Sequence, residues 1–348
     1  MDNKFNAAVM MGRMQPPHAG HIKNILKAAE IAPVVIILLG GADKPRTAKN
    51  PFTIRERRRM ILASLPEEVK ANCRISVHGM HDHPYSDEEW VREVKNLVYS
   101  NTSRHSRVAL VGHHKDDSSY YLDLFPEWSM LEVENYNNID ATKIRDVFFS
   151  HPYVNVLDSG LTEATKAFLH EFSETGDYTN LAAEHMYIKQ YKDSWSKSPF
   201  PPVFSTVDTA VLCSNNLMVI KRGRRPSKGL LALPGGYSDV KERLVVSAKR
   251  ELEEETGLKF TLDSFTTRLL GVKTFDHPTR SQIGRVITQL HVINGDGLYL
   301  QRFAKAGDDA AEVIWLTHAD TVQNRSRFSS DHWEMAMYAF DMYRGGTK

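Results

Sequence analysis

The chain has 348 residues, which at roughly 150 per domain points to about two domains. Lys and Arg total 44 against 43 Asp and Glu, a net charge of +1, so no cationic excess argues for a nucleic-acid partner. With 41% hydrophobic and 25% charged residues, collagen-like, coiled-coil and wholly disordered chains are excluded, and sizeable cores can form.

Ala7 to Met11 reads as a strand and Ile22 to Ile31 as a helix. Val34 to Leu39 is an apolar run between Pro33 and Gly40-Gly41, short enough for a strand buried on both faces and expected at the centre of a sheet. Thr53 and Glu56 have capping-box spacing at the head of a helix reaching Ser64, before Pro66. Ser86 and Glu89 repeat the box for a helix to about Tyr99. Arg74 to His78 and Arg107 to Val111 are further strands. This alternation predicts an α/β domain, a parallel sheet with helices on both faces, whose ligand lies at the C-terminal strand ends.

Helical patterns follow at Leu161 to Phe172 and Tyr178 to Trp195. Pro199, Pro201 and Pro202 then can neither continue a helix nor donate to a sheet. Domains are therefore expected at 1–195 and 203–348, joined by 196–202. In the second, Ser205 to Cys213 and Leu217 to Arg222 flank a turn at Ser214-Asn215-Asn216. Strands at Arg285 to Ile293 and Glu312 to Leu316 and a helix at Leu244 to Thr256 complete an α+β pattern. Cys73 and Cys213 are too far apart in sequence for a zinc knuckle or disulfide framework, which fits a reducing compartment. No apolar run approaches the ~20 residues of a membrane span and no secretory signal pattern opens the chain, so a cytoplasmic protein without a membrane partner is expected.

Glu251, Glu254 and Glu255 fall at i, i+3 and i+4 of the predicted second-domain helix, projecting three carboxylates from one face, while Val245, Ala248 and Leu252 form an apolar stripe. Like charges so spaced repel unless a cation sits among them, and hard oxygen ligands suit Mg²⁺ or Mn²⁺. Arg250 can orient a neighbouring glutamate, Gly257 suits a left-handed C-cap, and Gly235-Gly236 lets a loop backbone approach a ligand closely. A solvated acidic face is the plainer alternative. Against it, Gly236, Glu242, Arg250, Glu251, Leu252, Glu254, Glu255, Gly257 and Leu258 match every specified position of GX5EX7REUXEEXGU (U, aliphatic). At roughly 5–7% usage per specified residue, a chance match is on the order of one in ten million.

This segment resembles the Nudix box. The resemblance implies hydrolysis of a nucleoside diphosphate linked to a second group, with metal on Glu251, Glu254 and Glu255, catalysis resting on Glu254, and support from Glu242 and Arg250. Gly235 and Gly236 would lie against the nucleotide. Glu312 is a further carboxylate to consider as base. The SQPWPFPXS stretch of NADH pyrophosphatases is lacking.

In the first domain, Gly12-Arg13-Met14-Gln15-Pro16-Pro17-His18-Ala19-Gly20-His21 joins the first strand to the first helix, where free backbone N–H groups and the positive helix end attract an anion. His18 and His21 stand one turn apart and can donate to phosphate oxygens. His81-Asp82-His83 and His113-His114 read as loop histidines, because neither pair has a third ligand in view.

With its flanks the first segment resembles the GRFQPXHXGH signature of nucleotidyltransferases, in particular nicotinamide mononucleotide adenylyltransferases. Asn50-Pro51-Phe52-Thr53 with Glu56-Arg57 and Met60-Ile61 resembles that family's NPFTXXERXXMI element, and Gly112-His113-His114-Lys115-Asp116 its adenosine-side loop. Ile139 to Arg145 is similar to ISSTXXR, except that Asp140 and Ala141 stand where the serines belong. Thr142 is expected to cap the following helix and Arg145 to meet a triphosphate. The resemblance implies catalytic roles for His18, His21 and Arg145 and nucleotide contacts from Gly12, Arg13, Gln15, Gly20, Lys49, Gly112, Asp116 and Thr142. Arg55, Arg57, Arg58 and Arg59 would add field at the mouth.

Together the halves resemble bifunctional nicotinamide mononucleotide adenylyltransferase/Nudix proteins, a Rossmann-like nucleotidyltransferase domain followed by an α+β Nudix domain. What this implies is NAD and pyrophosphate formation from ATP and nicotinamide mononucleotide, and hydrolysis of ADP-ribose with Mg²⁺ or Mn²⁺. The alternatives are another phosphate acceptor, another nucleoside diphosphate derivative, or a nucleotide sensor in the second half. Homo-oligomerisation stays open.

Overall fold

Every strand of the first unit is followed by chain that returns across a sheet face, so its strands run parallel. The computed structural model describes residues 4–112, 117–133, 139–150, 160–298 and 300–345. The elements are β1 (Ala7–Gly12), α1 (Ala19–Ile31), β2 (Val34–Leu39), α2 (Ile54–Ala63), α3 (Glu67–Asn72), β3 (Arg74–Gly79), α4 (Asp87–Asn101), β4 (Val108–Gly112), β5 (Ser129–Glu132), α5 (Ala141–Ser150), α6 (Glu163–Ser173) and α7 (Gly176–Ser194). The strand order is β3-β2-β1-β4-β5, with Met10 opposite both Ile37 and Val111.

Strand alternation sends Ala8, Met10, Val35 and Ile37 to one face, with Ile22, Ile25 and Ala28 of α1. Ala7, Val9, Ile36 and Leu38 go to the other, with Val94 and Val98 of α4. A third cluster joins Phe52, Phe148, Phe168 and Phe172 around α5 and α6. The expected central position of Val34 to Leu39 is corrected: β2 is interior, but β1 takes the centre, because the chain places β2 and β3 on one side of it and β4 and β5 on the other. The order reverses at β1, which opens a crevice beyond the carboxyl ends of β1 and β4.

The chain divides within α7, into Met1–His185 and Met186–Lys348. The second unit contains β6 (Val203–Cys213), β7 (Asn216–Arg222), β8 (Leu231–Ala232), β9 (Gly235–Tyr237), α8 (Leu244–Thr256), α9 (Leu262–Thr267), β10 (Leu269–Phe275), β11 (Arg285–Asn294), β12 (Ala310–Thr317), α10 (His318–Gln323) and α11 (His332–Tyr343). Its mixed sheet runs β10-β11-β6-β7-β12; β11 and β6 are parallel, β8 adds to β7 and β9 to β6. One face packs on Ala248 and Leu252 of α8, the other on Met335, Ala336, Ala339 and Phe340 of α11. Ser214 and Asn215 adopt the left-handed backbone that a tight β6–β7 turn demands. Both cysteines are buried and unpaired, and among the described residues no helix is long and apolar enough to cross a membrane.

Candidate active sites

The loop after β1 is held in place by backbone-directed side chains. Gln15 Nε2 donates to the Phe52 carbonyl at 2.8 Å and its Oε1 accepts from the Phe52 N–H at 2.9 Å, so one amide clamps two loops. Arg57 is fully buried and donates to the carbonyls of Arg13 and Gly40, at 2.5 and 2.9 Å. This corrects its expected place in a field at the mouth: Arg57 brackets the loops after β1 and β2 from inside, while Arg55, Arg58 and Arg59 are exposed. Burial pulls its guanidinium down to about 10.

His18 lies at the head of α1, buried, with its ring centroid 3.7 Å from that of His21. The His18 N–H donates to His21 Nδ1 at 3.2 Å, so in neutral His21 the proton sits on Nε2, which is the nitrogen able to donate outward. His18 Nδ1 is buried without a hydrogen-bond partner among the described residues. Burial lowers the His18 pKa to about 4, against the attraction of Asp140, so the ring is neutral near pH 7. Gly20 is buried in the first turn beside these rings.

Cations gather around this helix start. Arg13 is aimed by Asp82 at 2.7 Å and by Asn50 at 3.0 Å, and Asp82 also accepts from the Gly41 N–H. Lys49 is lowered to about 8, chiefly by burial and then by the charge of Arg13, with Arg145 and Lys44 adding to it. Arg145, lowered to about 10 mainly by burial, donates to the Gln15 carbonyl at 2.6 Å and to Thr142 Oγ1 at 3.2 Å. Arg13, Lys49 and Arg145 therefore share one field beside the histidines, opposed by Asp82 and Asp140. Thr142 is not the cap expected of it. Asp140 accepts from the Thr142 N–H at 2.7 Å and takes the capping position, since its carboxylate reaches a first-turn N–H that has no partner within the helix. Gly12 and Gly112 end β1 and β4 at the crevice, where a Cβ on Gly112 would press on Leu122 at 3.2 Å. Asp116 and His113-His114 lie outside the described residues.

Sequence reasoning passed over Asp82, although it stands just beyond the third strand, where ligand-facing residues of such sheets collect. It also gave His81 and His83 no partner. Glu93 on α4 is that partner, one carboxylate oxygen 2.7 Å from each ring.

In the second unit α8 begins at Leu244 and ends at Gly257, whose φ of +68° makes it the left-handed C-cap. Arg250 reaches Glu242 at 3.0 Å, Glu251 at 2.7 Å, Glu254 at 3.0 Å and the Tyr237 carbonyl at 3.2 Å. Hydrogen bonds from Ser247 and Arg250 hold Glu242 below its ordinary range. Glu255 is buried and accepts from the Gly235 N–H at 2.9 Å; burial nevertheless raises it to about 8. Burial raises Glu251 as well, with Glu254 adding repulsion. These carboxyls are costly to ionise side by side, and a divalent cation relieves that cost, so the donor set fits hard oxygen-bound metals.

The glycine pair makes the packing possible. A Cβ on Gly236 would come within 2.5 Å of Glu251 Oε2, and one on Gly235 within 2.2 Å of the Val207 carbonyl. Behind the pair, Asp208 accepts from Thr288 at 2.5 Å, and His332 Nδ1 accepts from the Leu233 N–H at 3.1 Å. A bidentate Arg280–Asp331 pair is buried next to them. None of these supporting contacts was legible in the sequence, because the residues come from β6, β11, the β10–β11 loop and the start of α11. Glu312 is exposed on β12 and, by strand alternation, shares its face with Ile314 and Leu316, away from Val313 and Trp315 on the α8 side.

A Cytidylyltransferase-like family matches residues 9–147 and a NUDIX domain family matches residues 204–338. A nicotinamide/nicotinic acid mononucleotide adenylyltransferase of Acinetobacter baylyi is 39% identical over 183 residues, 52% of this chain and 94% of the relative. An ADP-ribose pyrophosphatase of Methanocaldococcus jannaschii is 35% identical over 126 residues, 36% of this chain and 66% of the relative. The crystal structure of a bifunctional NMN adenylyltransferase/ADP ribose pyrophosphatase from Francisella tularensis, complexed with AMP and Mn ion, superposes with a TM-score of 0.86. It is 30% identical, with 97% of this chain and 99% of that chain covered.

Proposed function

The chain belongs to the family of bifunctional NMN adenylyltransferase/ADP-ribose pyrophosphatase proteins, and from that membership we propose a division of labour between its two halves. Residues 1–195 convert ATP and nicotinamide mononucleotide to NAD and pyrophosphate. Residues 203–348, joined through 196–202, hydrolyse ADP-ribose to AMP and ribose 5-phosphate. One observation carries the reading: a single chain builds a cationic pocket at the ends of a parallel sheet and, in its other unit, a carboxylate helix suited to divalent metal.

In the transferase, an oxygen of the mononucleotide 5′-phosphate attacks the α-phosphorus of ATP and the bond to the β-phosphate breaks. No side-chain nucleophile is needed; alignment and charge stabilisation supply the rate. His18, through its unpartnered buried nitrogen, and His21, through Nε2–H, face the reacting phosphates. Arg13, Lys49 and Arg145 take up the charge that passes to pyrophosphate. Gln15 and Thr142 keep the loops in register, and Gly12, Gly20 and Gly112 border the nucleotide; a nucleotide contact from Asp116 rests on the resemblance alone.

In the hydrolase, Glu251, Glu254 and Glu255 would hold Mg²⁺, or Mn²⁺ in its place. Such a cation neutralises the pyrophosphate and acidifies water. Arg250 and Glu242 orient the carboxylates, and the Gly235-Gly236 backbone leaves room for substrate phosphate. Water adds to one phosphorus and the bridging P–O bond of the pyrophosphate breaks.

Product analysis of the intact protein tests both halves. ATP, Mg²⁺ and nicotinamide mononucleotide should yield NAD, and ADP-ribose should yield AMP. Glu254→Gln should abolish the second reaction and spare the first. Absence of NAD with turnover of another phosphate acceptor overturns the first assignment, and undiminished pyrophosphatase activity in Glu254→Gln overturns the second.

A further inference from the structure

Three separate elements of the first unit bring histidine nitrogens and carboxylate oxygens together, using none of the residues assigned to the cationic pocket. His81 and His83 follow β3, Glu93 projects from α4, and Asp43 follows β2. His81 Nδ1 and His83 Nε2 each lie 2.7 Å from a different oxygen of Glu93, and His81 Nε2 lies 2.7 Å from Asp43. Glu89 approaches the remaining nitrogen of His83 at 3.4 Å. The ligand atoms of His81, His83 and Glu93 all fall within 4.8 Å of one another.

We propose that His81, His83 and Glu93 bind a Zn²⁺-class divalent cation, with Asp43 beside them, at a site distinct from the hydrolase carboxylates. Two imidazoles and a carboxylate form a donor set that suits borderline-soft metals and disfavours Mg²⁺, which prefers oxygen. The two histidine–Glu93 contacts each need a proton between their atoms, and a cation replaces those two protons at the same ligands, while His81 keeps the proton on Nε2 that Asp43 accepts. Binding therefore releases protons and weakens as pH falls. His81 keeps 39% of its side-chain surface exposed, so an ion can enter from solvent. The backbone N–H of His81 donates to Glu93 at 3.0 Å and aligns the carboxylate. The ion would fasten the loop after β3 to α4, and Asp43 ties the loop after β2 to the far nitrogen of His81. It would thereby brace Asp82, which lies between the two histidines and aims Arg13.

Co²⁺ titration of the intact protein distinguishes this site from the oxygen-only hydrolase site. A four-coordinate ion with imidazole ligands absorbs visible light intensely, and a six-coordinate oxygen site absorbs weakly. One equivalent of Co²⁺ should produce the intense band and Zn²⁺ should bleach it. The double variant His81→Asn/His83→Asn should lose the band, and Glu93→Gln should weaken Co²⁺ binding at least tenfold, with far-UV circular dichroism unchanged. If the parent protein shows only the weak band, or the double variant keeps the intense one, the proposal fails. The parent spectrum decides even if a variant does not fold.

Discussion

Gly236→Ala tests how the Nudix loop and helix share space. The added Cβ would meet Glu251 Oε2 at 2.5 Å, its Cδ at 2.7 Å and Oε1 at 2.9 Å, where ordinary contact begins at 3.4 Å. Nothing in the backbone resists, because Gly236 does not have a positive φ and the obstacle is the far end of a flexible side chain. The carboxylate must retreat by nearly an ångström, which is tolerable for folding. For catalysis it is not: a displacement of about 1 Å in a positioned group costs about 10²-fold in rate, or about 2.7 kcal/mol of barrier. ADP-ribose hydrolysis should therefore fall about 10²-fold in kcat/KM, while NAD synthesis and the melting temperature stay near parent values. Gly235→Ala offers the contrast. Its Cβ meets the Val207 carbonyl at 2.2 Å, a backbone atom of β6 that cannot turn aside, so hydrolysis and stability of the second unit should fall together. Hydrolysis within threefold of parent in Gly236→Ala would refute the placement of Glu251 against this loop and its part in the reaction.

Arg57→Met should cost about 3 kcal/mol in urea denaturation, because it strands the carbonyls of Arg13 and Gly40 without their buried donor; a loss below about 1 kcal/mol would mean that water replaces the guanidinium. Asp331→Asn should destabilise the second unit by about 3–5 kcal/mol, since it leaves Arg280 buried without its countercharge, and an unchanged melting temperature would contradict this. In metal-free protein, the Glu255 carboxyl ionises through 4.5 when unfolded but only through about 8 when folded. The unfolded state thus binds fewer protons between those values, and this group's contribution to stability declines as pH rises across the window. Melting temperatures in EDTA should show a shallower decline for Glu255→Gln than for parent; parallel pH curves would dismiss the buried-acid account.

The carboxylate helix was readable to its ends because everything that defines it is local. The 3.6-residue period sets Ala248 and Leu252 inward, and Gly257 terminates the helix at the one position that needs a left-handed backbone. The apolar runs that became β1, β2 and β11, the capping box at Thr53 and the N-cap at Ser86 were legible for the same reason, although Glu89 does not close the box expected with Ser86, whereas short β5, β8 and β9 carry too few residues for a period to show. Local pattern could not say that β1 would be the middle strand, since strand order follows from which crossovers bury both faces. Nor could it separate Arg57, pinned inside, from its neighbours Arg55 and Arg58 in the water, because adjacent helical residues differ only in the direction they face. Chemistry and spacing along the chain determined the residue types of both reaction centres. Tertiary structure alone decided their aim: Asp82 steers Arg13 from 69 residues away, Asp140 takes the cap from Thr142, and Glu93 meets two histidines that had no partner in sequence. Such contacts depend on distance in space, which a one-dimensional pattern does not contain.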